Sequence, residues 1–144
     1  MFACAKVGMN MICASPKGYQ PDPEILRLAQ EDAAQTGCSI TVEEDIFKAA
    51  KGADVLYTDV WTSMGEEAER EVRFKALHNY QINQALLNEA RPEAIVLHCL
   101  PAHRGEEITE EVLEGPQSVV FDQAENRLHV QKAIMALLMS DEVL

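Results

Sequence analysis

The sequence predicts an α/β fold, a mainly parallel sheet with helices on both faces. Short apolar runs rich in β-branched residues alternate along the chain with stretches of helical periodicity. One run, Ala94-Ile95-Val96-Leu97, is apolar at every position, as in a strand covered on both sides. Glycine and proline fall between the segments, at Gly8, Gly37, Gly52, Pro92 and Gly115-Pro116.

Taken in order, Phe2 to Val7 reads as the last turns of a helix stopped by Gly8, and Met9 to Ala14 as a short buried strand. Ser15 to Pro21 is a loop by its proline and glycine content. Asp22-Pro23 then supplies an N-cap and a proline at the first helical position. The helix runs to about Thr36, with Ile25, Leu26, Leu28, Ala29 and Ala33 as its apolar face and Gly37 as its C′ residue. Ser39 to Val42 alternates like an edge strand, and Glu44 to Ala50 is a short helix ended by Gly52. Val55 to Thr58 is the next strand and delivers Asp59 to Gly65 at its carboxyl end. Glu66 to Leu77 is a helix with acids in its first turn, where the helix dipole favours them. Asn83 caps another helix through Ala90, ended by Arg91-Pro92. After the central strand, Thr109 caps a short helix ending at Gly115-Pro116. Ser118 to Phe121 is a last strand, and Glu125 to about Met139 a final helix with a broad apolar surface that ought to dock on something.

At 144 residues the chain fits one domain, residues 1–144, and can bury about 68 to 70% of its unfolded surface. The net charge of −12 argues against a nucleic-acid surface and suits cationic or zwitterionic ligands. Acidic runs around Glu66 and at Glu106-Glu107 read as solvated faces, with Glu66 and Arg70, Glu69 and Arg73, and Glu71 and Lys75 as i, i+4 pairs. Cys4, Cys13, Cys38 and Cys99 show no metal-ligand spacing, so no metal is expected and reduced thiols in a cytoplasmic protein are. No secretory leader and no membrane span is expected, since no apolar run approaches ~20 residues.

The chemistry concentrates in three stretches. His98-Cys99-Leu100-Pro101 follows the central strand, where ligands of open α/β sheets bind. Asp59-Val60-Trp61-Thr62-Ser63-Met64-Gly65 follows another strand, and Val120 to His129 contains Ala124-Glu125-Asn126-Arg127. Together, in this order and across almost all of the chain, they resemble the ornithine carbamoyltransferases of the aspartate/ornithine carbamoyltransferase superfamily, in their C-terminal ornithine-binding domain only. The resemblance implies a Rossmann-like sheet and transfer of a carbamoyl group from carbamoyl phosphate to the δ-amine of L-ornithine, giving L-citrulline and phosphate, with no cofactor. It also implies a homotrimeric parent, or a multiple of a trimer.

That reaction needs a neutral amine, and a Lys-like amine titrating near pH 10.4 costs about 4.6 kcal/mol to present deprotonated at pH 7. The resemblance places Asp59, Ser63 and Met64 on ornithine and Cys99 beside the reacting amine. It adds the Leu100 carbonyl as an acceptor, and Cys99, Leu100 and Arg127 toward carbamoyl phosphate. Asp59 and Cys99 are the expected catalytic pair. Read without the resemblance, Asp59 is a turn cap, Cys99 a core residue, Arg127 a surface partner of Glu125 or Asp122, and His98 either a loop-orienting group or a satisfied buried histidine. The resemblance further implies a cis bond before Pro101. His103, Arg104 and His129 receive no role.

The resemblance covers half of the family's chain. The family's Ser-Thr-Arg-Thr phosphate loop and His-Pro motif have no counterpart, and neither does the first strand of the ornithine domain. That strand would lie between Met9–Ala14 and Val55–Thr58, so the expectation is a gap in the sheet, marginal stability or self-association, and no turnover by the chain alone. The alternatives are a transcarbamylase for another amine, such as putrescine or an acylated ornithine, and a catalytically dead remnant or interaction module of the same fold.

Overall fold

The computed structural model describes residues 1–139 apart from 63, 64 and 66. The element order is α1 (Phe2–Val7), β1 (Met11–Ala14), α2 (Pro23–Thr36), β2 (Ile40–Glu43), α3 (Ile46–Ala50), β3 (Val55–Thr58), α4 (Arg70–Leu77), α5 (Gln84–Leu87), β4 (Ile95–His98), α6 (Glu110–Leu113) and α7 (Val120–Met139). The expected punctuation recurs in the caps. The Asp22 carboxylate accepts from the amides of Glu24 at 2.8 Å and Ile25 at 3.2 Å, and Pro23 opens α2. Gly37 closes it at φ 76°, a left-handed conformation that a residue with a Cβ adopts only under strain. Asp45 caps α3, which starts at Ile46 rather than Glu44, and Asn83 caps α5 through the Leu86 amide.

All the strand pairing is parallel, but it forms two separate two-stranded sheets. β1 pairs with β2 from Met11↔Ile40 to Ala14↔Glu43, and β3 pairs with β4 from Val55↔Ile95 to Thr58↔His98. Among the described residues β1 hydrogen-bonds to no strand but β2, and β3 to none but β4. This is the interrupted sheet expected from the sequence, and it leaves each pair with an uncovered edge. Each pair also has its own core. Ala5, Ala29, Ala33 and Ile40 pack around the first, and a larger group including Leu56, Leu86, Val96, Ile108, Val112 and Val120 packs around the second.

Four expectations are corrected. The strand read over Ser118 to Phe121 shrinks to a single bridge, in which Val96 donates to the Gln117 carbonyl at 2.8 Å and Val119 donates back to Val96 at 3.1 Å. Helix α7 already begins at Val120. The Val-Val-Phe run is strand-like by propensity, yet the helix-forming residues after it propagate cooperatively back into it. Secondly, the helix expected from Glu66 opens instead as a 3₁₀ turn over Glu67–Glu69, so α4 starts at Arg70. The Glu69–Arg73 pair forms at 3.0 Å and Arg70 pairs with Glu106, while the expected partner Glu66 lies outside the described residues. Thirdly, α5 stops at Leu87 because Glu89 and Ala90 bond back only three residues, to Leu86 and Leu87. Lastly, Thr109 precedes α6 without a side-chain cap, its hydroxyl buried with no partner among the described residues.

Candidate active site

The register of β3 and β4 decides what meets at their ends. Thr58 lies opposite His98, so the next residues on each strand, Asp59 and Cys99, emerge side by side at adjacent carboxyl termini. Burial raises the Cys99 thiol above the ordinary range, the nearby Asp59 carboxylate raises it further, and Tyr57 acts in the opposite direction. A thiol held up in this way is protonated at neutral pH. The Asp59 carboxylate also accepts from the Val60 amide at 2.7 Å, so it caps the turn after β3.

The loop after β4 is fixed by a buried polar pair. The His98 Nδ1 accepts from the Leu100 amide at 2.8 Å, which leaves Nε2 to carry the proton and donate to Glu107 at 2.9 Å. Both side chains are wholly inaccessible. The same Glu107 oxygen accepts from the His103 amide at 2.6 Å, so one carboxylate ties the strand end to the far side of the loop. Between these anchors Leu100 adopts φ 54° and the Leu100–Pro101 bond is cis. Glu107 is a site-supporting residue that sequence reasoning missed. Its position beside Glu106 suggested a solvated pair, but only Glu106 remains toward the surface, with Arg70, and Glu107 turns inward. The signal was the apolar Ile108 that follows, itself fully buried.

Cys99 and Leu100 open onto a groove of about 800 Å³ whose other walls include Phe121, Ala124 and Arg127. The amino-terminal half of α7 thus supplies the facing side. Arg127 makes no ion pair with Glu125 or Asp122 among the described residues, and Glu125 is instead 3.1 Å from His129. Asp59 does not line this groove. The expected ornithine contacts Ser63 and Met64 lie outside the described residues. Their loop is anchored just before them by the buried Trp61, whose ring meets Phe74 edge-on at 5.6 Å and whose carbonyl accepts from Arg73 at 3.3 Å. Ligand atoms of His103, Glu106 and Glu107 lie within 4.8 Å of one another. Arg70 occupies Glu106, and His98 occupies Glu107.

A parallel α/β domain with a carboxylate and a thiol at neighbouring strand tips defines a strand-end ligand site of the Rossmann-like class. Residues 1–138 match the family described as aspartate/ornithine carbamoyltransferase, Asp/Orn binding domain, and the chain belongs to that family. It is 59% identical over 139 residues to an ornithine carbamoyltransferase of Gloeobacter violaceus, covering 96% of this chain and 44% of that protein. It is 54% identical over 139 residues to one of Thermococcus kodakarensis, with the same coverage of 96% and 44%. The solved anabolic ornithine carbamoyltransferase of Campylobacter jejuni superposes with a TM-score of 0.90 at 40% identity, over 96% of this chain and 46% of that one. The Pyrococcus furiosus ornithine carbamoyltransferase does so with 0.88 at 51% identity, over 94% and 43%. The chain therefore spans less than half the length of these relatives.

Proposed function

We propose that the chain is the ornithine-binding part of an ornithine carbamoyltransferase, acting in carbamoyl transfer from carbamoyl phosphate to the δ-amine of L-ornithine. The observation that carries this reading is the register that sets Asp59 beside Cys99 at the β3 and β4 tips, next to a groove with Arg127 on its far wall. Asp59 and Cys99 receive the amine end, the carboxylate accepting a proton hydrogen bond and the protonated thiol serving as a neutral partner rather than as a nucleophile. Ser63 and Met64 hold the amino-acid head group. The Leu100 carbonyl accepts from the amide nitrogens, and the Arg127 guanidinium meets the charge that develops on the carbonyl and phosphate oxygens. No cofactor takes part.

Of the two arginines that line the groove, Arg104 pairs with Glu114, which leaves Arg127 toward a dianionic co-substrate, and we expect no turnover from the 144-residue chain alone. Along α7, Leu128 is 66% exposed and Leu138 is 81% exposed, an apolar surface suited to further protein. A homotrimeric parent in the cytoplasm accords with this reading, and the four cysteines are unpaired. Among the described residues no helix is long and apolar enough to cross a membrane.

The test is to join this chain to the carbamoyl-phosphate-binding half of the Gloeobacter violaceus relative and assay citrulline. The joined protein should form citrulline, and its Asp59→Asn and Cys99→Ser forms should lose most of that rate. Citrulline from the 144-residue chain alone would contradict the expectation of inactivity, and a preference for putrescine or an acylated ornithine would move the substrate assignment.

A further inference from the structure

His98 is wholly buried and takes no part in the reaction just described, yet all three of its nitrogens are engaged, each with a different piece of the site. Its backbone amide donates to the Gln123 side-chain oxygen at 3.0 Å. Nδ1 accepts from the Leu100 amide at 2.8 Å, and Nε2 donates to Glu107 at 2.9 Å. Gln123 lies in the first turn of α7 and precedes Arg127 by four residues, so the two share one face of the helix. The Leu100 amide on His98 and the His103 amide on Glu107 bracket the segment 100–102, which supplies Leu100, Pro101 and Ala102 to the groove. Within it Leu100 sits at φ 54°, a conformation that a residue with a Cβ keeps only where its surroundings dictate it. The second Glu107 oxygen is buried with no partner among the described residues, so the carboxylate holds His98 and His103 through one shared oxygen.

We propose that His98 is a positioning residue for carbamoyl transfer, setting the Leu100 segment against the helix face that carries Arg127. The Nδ1 lone pair is the working atom. Glu107 takes the Nε2 proton and so keeps Nδ1 an acceptor, the state that the Leu100 amide requires. A histidine present only to satisfy buried hydrogen bonds would need the Glu107 bond and no particular relation between loop and helix. His98 instead joins the two walls of the groove through one residue, its ring holding the Leu100 side and its backbone the α7 side. In the function proposed above, Leu100 and Arg127 meet the same carbamoyl phosphate, and a misplacement of about 1 Å can slow a reaction on the order of a hundredfold. The catalytic consequence rests on that function, while the bonds belong to the chain alone.

Two substitutions separate the bonds. In His98→Asn the side-chain oxygen falls near the place of Nδ1 and keeps an acceptor for Leu100, but nothing reaches Glu107. In His98→Gln the side-chain nitrogen falls near the place of Nε2 and keeps the donor to Glu107, but the Leu100 amide loses its acceptor. Amide exchange in the 144-residue chain should leave Leu100 protected in His98→Asn and run about tenfold faster there in His98→Gln, with β4 protected in both. In the joined protein, His98→Gln should lower kcat about tenfold with the ornithine KM within about twofold, and His98→Asn should keep the larger kcat although it is the less stable of the two. A role confined to the core predicts the reverse order, with activity following stability. His98→Gln with native Leu100 exchange, with the native rate, or with a higher rate than His98→Asn overturns the proposal. Should His98→Asn not fold, His98→Gln decides alone. The imidazole 15N spectrum of the unaltered chain needs no variant: the proton belongs on Nε2, and a proton on Nδ1 overturns the proposal. If the exchange order holds and the joined protein with native His98 forms no citrulline, the ornithine reading fails and the catalytic role with it, while the hold of Nδ1 on the loop stands.

Discussion

The two parallel strand pairs have the same topology and different interiors. Around β1 and β2 the buried apolar set is Ala5, Ala29, Ala33 and Ile40, three alanines and one branched residue, so α1 and α2 sit close but bury little volume. Around β3 and β4 twelve buried residues form the core, and a wholly buried histidine–glutamate pair stands above them. The candidate site occupies the second region only. A constellation that must hold a thiol and a carboxylate in fixed relation needs side chains whose rotamers are locked by packing, and only the β3–β4 half provides them. The β1–β2 half is held instead by caps and surface pairs, among them Lys6 with Asp32 at 2.6 Å and Arg27 with Glu24 at 2.7 Å, exposed contacts that solvent screens.

If the halves differ in this way, they respond differently to damage. The largest effect is expected at Glu107. Replacing it with alanine leaves the His98 Nε2 proton and the His103 amide buried without an acceptor, at a cost of about 3 kcal/mol or more. The denaturation midpoint should fall accordingly, and an unchanged midpoint would mean that the buried pair does not hold the loop. Ile40→Ala removes the one large side chain of the smaller core and should cost about 2 to 4 kcal/mol. Amide exchange should then accelerate across residues 1–43 while β4 stays protected, and equal acceleration in both halves would show that they unfold as one.

Gly115→Ala is smaller again. An added Cβ would lie 2.7 Å from the Glu111 carbonyl oxygen at the end of α6, a clash with backbone that should cost about 1 to 2 kcal/mol in thermal denaturation. In the other half Asp22→Ala deletes the acceptor for two amides of α2 and should cost about 1 kcal/mol, read as lost helicity by circular dichroism. The pH effect is the slightest. Burial raises both Cys99 and Tyr57, so the folded state retains their protons longer than the unfolded chain does. Their stabilising contribution is complete below the unfolded thiol value near pH 8.5 and is lost as pH rises through the folded values. Stability should therefore decline above about pH 8.5, and Cys99→Ser should flatten the first part of that decline.

What could be read in advance follows the same division. Elements marked by local chemistry appear within a residue or two of where the sequence puts them: Asp22-Pro23 and Gly37 bound α2, and the β-branched Val55 to Thr58 forms β3. The juxtaposition of Asp59 and Cys99 was legible because parallel pairing of two strands carries their tips to the same end. Long-range competition was not legible. Val119 to Phe121 has strand propensity, but the helix after it captures Val120 and Phe121. Glu107 looked like its exposed neighbour because a carboxylate's burial depends on a histidine nine positions away. The separation into two sheets was readable only through the family resemblance.

The account rests on the β3 and β4 tips being the place where a diamino acid is held. L-Ornithine titrated into the 15N-labelled chain tests this directly by amide chemical shifts. Shifts concentrated at Asp59 to Trp61 and at Cys99 to Leu100, absent in Asp59→Asn, are the predicted result. Shifts confined to the β1–β2 half, or surviving unchanged in Asp59→Asn, would contradict it.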